Sequence, residues 1–275
     1  MKRNACIAAL LACVACGAVR LWDLCANSEA ETGFVTQGSV WLRYGILAAF
    51  VVAVCMLARV CTAKTPLDSF ALPVPPVFAL LAAAALGSGM IALQYAVNEF
   101  TYPTTSLGRL ESGAGLMLFA LVLRLTFGIS LLLLSAWCAV LCLREAPLQP
   151  QAGAVRVLGF LAVIGLFILP VLRYAENPAS VHRILRILPI CAALSAMVFG
   201  VKLLGVFCVS LSAERRRTTA VAGVCAFLLC TCIGLPQLLW QVAQGGATLL
   251  QAWVTVTLAL LGVIGAFTAL AVSEA

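Results

Sequence analysis

Residues 116–143 read LMLFALVLRLTFGISLLLLSAWCAVLCL, an apolar run interrupted by one charge, Arg124. Apolar residues stand on every side of it. It has neither the alternation of a half-buried strand nor the polar face of a helix at a protein surface. Hydrocarbon offers the backbone no hydrogen-bond partners, so a continuous apolar run that crosses it must pair its own N–H and C=O groups as a helix. At 1.5 Å per residue, about 20 such residues cross a core of about 30 Å. This run is longer than that.

Seven further runs of the same kind lie outward from it, at about 4–25, 40–62, 72–97, 155–174, 188–211, 219–241 and 248–272. Of the 275 residues 64% are hydrophobic and 10% charged, where a soluble domain carries roughly 25% charged residues. The mean hydropathy is +1.12. The expectation is an all-α, polytopic integral membrane protein: one membrane domain over residues 1–275 with eight transmembrane helices. The connecting segments, at most about 18 residues, are too short for a soluble catalytic or nucleotide-binding domain.

Charge orients the helices. Lys and Arg stay on the cytoplasmic side during insertion, which places Lys2 and Arg3, and with eight crossings both termini, in the cytoplasm. Arg59, Lys64, Arg144, Arg156, Arg215, Arg216 and Arg217 then join the inner side, while Arg20, Arg43, Arg109, Arg173, Arg183 and Arg186 lie outside with most of the carboxylates. The fifth run is the weakest, because Val157–Leu172 spans only ~24 Å. If it did not cross, the Arg215–Arg217 cluster would face outward against the charge rule. The first run opens like a secretory leader, yet it continues apolar past Cys13 to Val19 without a polar cleavage region, and is read as a span.

Composition also excludes functions. A net charge of +7 is spread singly over helix ends apart from Arg215, Arg216 and Arg217, so no contiguous phosphate-binding face for nucleic acid is expected. Those three arginines, with Arg183 and Arg186, read as membrane-surface residues against the lipid bilayer. Arg183 and Arg186 belong to a short amphipathic interfacial helix at 178–188, capped by Asn177, that carries the sole histidine, His182. The thirteen cysteines fall almost entirely inside spans, where a free thiol behaves as a small apolar residue; no disulfide framework, metal site or cofactor is expected. Every Asp and Glu lies at or beyond a helix end, which argues against an ion-driven pump. No histidine stands in a run to activate Ser88 of Gly87-Ser88-Gly89, so serine hydrolysis is not expected.

The residue that stands out is Arg124, an ionisable group within a span. Gln94, Asn98 and Glu99 near the outer end of the third run and Gln237 and Gln241 in the outer half of the seventh sit at a similar depth. Together they form a candidate ligand-binding vestibule, with Gln244, Thr248 and Gln251 nearby. The opposing reading has Arg124 snorkelling to headgroups from a span that starts near Leu123, and the amides as ordinary polar helix ends beside an aromatic belt of Tyr102, Trp240 and Trp253. Gly87-Ser88-Gly89 reads as a backbone break or, in preference, as a close-packing site, and Pro236 should kink its helix. Small-xxx-small spacings at Ala85/Gly89, Ala196/Gly200 and Gly262/Ala266 point to close helix packing.

No motif names a substrate or a reaction. Ranked by site chemistry, the readings are a non-enzymatic membrane module that assembles with or senses a partner, another membrane protein or a second copy; then a small-solute permease or transporter component; then an intramembrane lipid-modifying enzyme. The Ala- and Arg-rich composition fits a bacterial cytoplasmic membrane.

Overall fold

A computed structural model of the chain describes residues 2–28, 38–62, 75–101, 114–143, 153–176, 184–208 and 212–274. Over the described residues each of the eight runs coincides with a helix, to within a residue at its ends: α1 (Lys2–Asn27), α2 (Val40–Cys61), α3 (Pro75–Thr101), α4 (Ala114–Cys142), α5 (Gly153–Glu176) and α6 (Ile184–Cys208). The seventh is compound, with α7 (Ala213–Ala226) running through a π-helical segment (Phe227–Ile233) into α8 (Gly234–Ala243), and α9 (Leu249–Glu274) is the eighth. All eight are long and apolar enough to span a membrane, and the described residues contain no strand.

The helix ends follow from local chemistry. Pro75 and Pro76 occupy the first turn of α3, where their missing N–H groups have no intrahelical role. Ser212 caps α7, its Oγ accepting the Arg215 N–H at 3.4 Å. Thr248 and Gln251 form a reciprocal capping box at the start of α9: the Thr248 N–H donates to Gln251 Oε1 (3.3 Å) and the Gln251 N–H to Thr248 Oγ1 (3.2 Å). These two residues serve the helix end rather than a vestibule. At 24 residues α5 is ~36 Å long, because helix continues through Arg156 and Arg173 beyond the short apolar stretch.

One sequence expectation about the backbone is corrected, and two receive their structural setting. α3 is unbroken across Gly87-Ser88-Gly89. These small residues let neighbours approach: Gly87 lies against the Trp253 ring and Gly89 against Gly128 and Leu132. Residues 178–183 of the amphipathic segment lie outside the described residues, and 184–188 belong to α6 itself, which continues through Pro189. A proline this near the helix start removes one hydrogen bond without ending the helix. Finally, Pro236 sits one turn beyond a seven-residue π stretch. Proline cannot donate to the carbonyl of residue i−4 and crowds it, and the wider π turn accommodates both effects.

The carbonyl that Pro236 leaves without its usual donor belongs to Cys232, and it is received by α1. The position a Cβ would take on Gly17 falls on Cys232 O, so at glycine a Cα–H points at that oxygen. Side chains tie the same π segment to two other helices. Thr231 Oγ1 donates to Ala259 O of α9 (2.7 Å), and Cys230 Sγ donates to Ala192 O of α6 (3.2 Å).

The last helix is the centre of the molecule. α9 packs against α3, α7, α8, the π segment, α1 and α6, while α3, α4, α5 and α6 follow one another around it. At its inner surface Gly223 and Gly265 meet backbone to backbone, with no room for a Cβ on either. Ser88 Oγ and Thr257 Oγ1 lie 2.7 Å apart across the α3–α9 interface, one donating to the other, while the acceptor keeps its own proton on Ala84 O or Trp253 O. Such interhelical hydrogen bonds contribute about 0.6 kcal/mol each in a bilayer. Among the apolar side chains of the core, Phe78 and Trp137 each pack edge to face on Phe207.

Candidate functional site

The residues of the expected vestibule are distributed over two places. Gly128 of α4 sits on Leu93 of α3, so Arg124, one turn earlier in α4, lies level with Ala96 and Val97 near the end of α3. Arg124 is half-buried and engaged with its surroundings. Gln94 and Asn98 are exposed, on the side of α3 opposite buried Ala92 and Ala96. Glu99 is in α3, its side chain outside the described residues. Gln237, buried and engaged, and the half-buried Gln241 stand on α8, whose main neighbours are α1, α6, α9 and the π segment. α9 touches both α3 and α8, which make no comparable contact with each other. Trp240, expected in an aromatic belt, is buried, and Tyr102 lies outside the described residues.

The membrane-surface arginines also separate. Arg215 is exposed in the first turn of α7 and Arg217 is half-buried. Arg216 turns inward and is fully buried, its Nε donating to Val272 O at 2.7 Å. The last carbonyls of a helix have no intrahelical donors and carry partial negative charge, so a guanidinium at the end of α9 satisfies both hydrogen bonding and the helix dipole. Arg183 is outside the described residues, and Arg186 lies in α6 with its side chain outside them.

A second concentration of charge forms where α1 ends and α2 begins. Asp23 of α1 receives Arg20 Nη1 on Oδ2 at 2.8 Å, and receives Arg43 Nη2 of α2 on Oδ1 at 2.9 Å. Asn27 Nδ2 adds a third donor to Oδ1 at 3.0 Å. The spacing does this work: Arg20, Asp23 and Asn27 fall at i, i+3 and i+7 on one face of α1. The antiparallel return of α2 then brings Arg43, in its first turn, to the same carboxylate. Trp22 and Trp41 flank the group, 67% and 66% exposed, and Tyr44 packs edge to face on Trp41. Exposed indoles at a helix end mark the depth of lipid headgroups. Within the group the Arg20 side chain is only 10% exposed, and its Nε and Nη2 are enclosed without a hydrogen-bond partner.

Read as loop charges, Arg20, Asp23 and Arg43 did not stand out in the sequence. The available signal was that all three lie inside apolar runs, and that Arg20 and Asp23 share a helical face. Their convergence on α2 depends on tertiary structure. Among the described residues no group of three His, Cys, Asp or Glu is placed to hold a metal ion. No protein-family model, curated protein or solved structure matches the chain.

Proposed function

We propose that this chain is a membrane module that works by assembling with another transmembrane helix through α2. The observation that carries this reading is a stripe on α2. Gly45, Ala49 and Ala53 recur every fourth residue and all are exposed, and nothing lies within 4 Å of where a Gly45 Cβ would stand. Glycine at the comparable spacings Ala85/Gly89, Ala196/Gly200 and Gly262/Ala266 is already filled by Leu132, by Leu166 and by Thr231 respectively. Apolar surface alone does not draw helices together in lipid, whereas small-residue stripes that permit close backbone approach do. α2 leaves this stripe open because its main partners are only α1 and α7. A bacterial cytoplasmic membrane is the setting we propose, and the partner is a second copy or a different membrane protein.

The test is the mass of the solubilised complex. Wild-type protein extracted mildly from its membrane should run either at a multiple of 28.8 kDa or with a stoichiometric partner, and Ala49→Leu should release a folded monomer. A wild-type protein that is monomeric and alone, or an Ala49→Leu variant with unchanged assembly, would overturn the reading.

The runner-up, a small-solute permease, is favoured by one observation: the π segment, a departure from α-helical pairing, ends one turn before buried Gln237. Discontinuous helices beside polar side chains are how many transporters build their sites. Substrate uptake into vesicles holding the purified chain, abolished by Gln237→Leu, would support it; absence of uptake across a solute panel would count against it.

A further inference from the structure

We propose that the group at the junction of α1 and α2 is a phosphate-binding site in which Arg20 receives the oxyanion side-on. Three observations converge on it. Asp23 holds Arg20 through Nη1 alone, while its other oxygen is taken by Arg43 and Asn27. The two Arg20 nitrogens that remain, Nε and Nη2, are the lateral edge of the guanidinium, whose parallel N–H bonds match two oxygens of a phosphate. Both are enclosed and unpartnered in a side chain nine-tenths buried. Leaving two donors of a cation unmet in such surroundings is unfavourable, and a bidentate oxyanion removes that penalty.

The location supplies the ligand class. Arg20 lies seven residues before the end of α1, ~10 Å along the axis, and Arg43 lies in the first turn of α2. The exposed Trp22 and Trp41 beside them set this level at the headgroup layer, where lipid phosphates stand. The Asp23 and Arg43 side chains beside Arg20 are 17% and 18% exposed, so the group is partly open at its rim. The phosphate can come from an anionic lipid in the leaflet or from free phosphate in the adjoining water. The site is independent of assembly through α2, since it is complete within one chain.

The experiment uses the full chain in a phosphate-free maltoside detergent and buffer. Phosphatidylglycerol and inorganic phosphate are titrated separately at matched ionic strength, with sodium chloride as control, and the thermal midpoint is followed. Phosphatidylglycerol should raise it with a saturable dose dependence. Arg20→Lys, which keeps the charge and loses the fork, should need at least a tenfold higher lipid concentration. A response to the lipid alone identifies the leaflet phosphate, and a response to both probes admits free phosphate as well; either supports the site. Asp23→Asn provides a second handle if Arg20 variants fold poorly, because it releases Nη1 and keeps the fork, and should tighten the response. No shift beyond the chloride control, a wild-type response in Arg20→Lys, or an unchanged response in Asp23→Asn overturns the proposal.

Discussion

At the scale of single residues, glycine and arginine positions separate packing from function. Gly17 is pressed on the Cys232 carbonyl, whereas Gly205 has nothing within 4 Å of its Cβ direction. Gly17→Ala is therefore expected to destabilise the protein by about 1–3 kcal/mol through forced backbone displacement. Gly205→Ala should be neutral, or stabilising by up to ~1 kcal/mol from helix propensity. Reversible unfolding in mixed micelles measures both, and equal effects would mean that the α1–π contact is not made. Arg124 drew attention in the sequence because it is alone in a long apolar run. Arg20 and Asp23 were the less visible pair, because a cation and an anion three residues apart near the end of a run look like ordinary interfacial charge. What distinguishes them is the third member, Arg43, separated by a connecting segment and joined only when α2 returns along α1.

Among elements, the seventh helix shows how a sequence signal can mark a place without fixing the form taken there. Pro236 announced a disturbance, since it removes a donor and crowds the preceding turn. A kink and a π stretch both answer that disturbance. Neighbours hold the π stretch: Thr231 bonds to α9, Cys230 to α6, and the Cys232 carbonyl meets Gly17 of α1. Pro236→Ala tests this hierarchy. Propensity alone would make it stabilising by up to ~3 kcal/mol. If the three contacts hold the π register, regaining an α-helical register breaks them, and the variant is expected to be less stable by about 1 kcal/mol. A clear rise in stability would show the segment to be a consequence of the proline alone. Similarly, Gly87-Ser88-Gly89 had the composition of a break and became a seam, because α4 and α9 fill the space its missing side chains leave.

For the whole molecule, eight consecutive crossings put Gly38 and Gly246 on one side and Ser212 on the other. Epitopes inserted at these three places in intact cells or oriented vesicles should label accordingly; Gly38 and Gly246 appearing on opposite sides would remove one crossing. The number of helices was legible because length and hydropathy act on each segment separately against a bilayer of set thickness. Their arrangement was not. Depth along the membrane normal placed Arg124, Gln94 and Asn98 level with Gln237 and Gln241, but equal depth says nothing of lateral position, and the two groups stand on helices that meet through α9 rather than directly.

The sequence by itself determined a membrane-resident, all-helical chain with eight spans, because that follows from backbone pairing in hydrocarbon. Tertiary structure alone decided which helix occupies the centre, that Arg216 faces inward onto the end of α9, and that Arg43 of α2 joins Arg20 on the Asp23 carboxylate. The physical reason is common to all three. Lipid is as apolar as the helix surfaces it covers, so hydrophobicity drives insertion without choosing partners. That choice is left to close contacts such as Gly17 on Cys232 and to a few polar atoms, whose meeting depends on residues far apart in the chain.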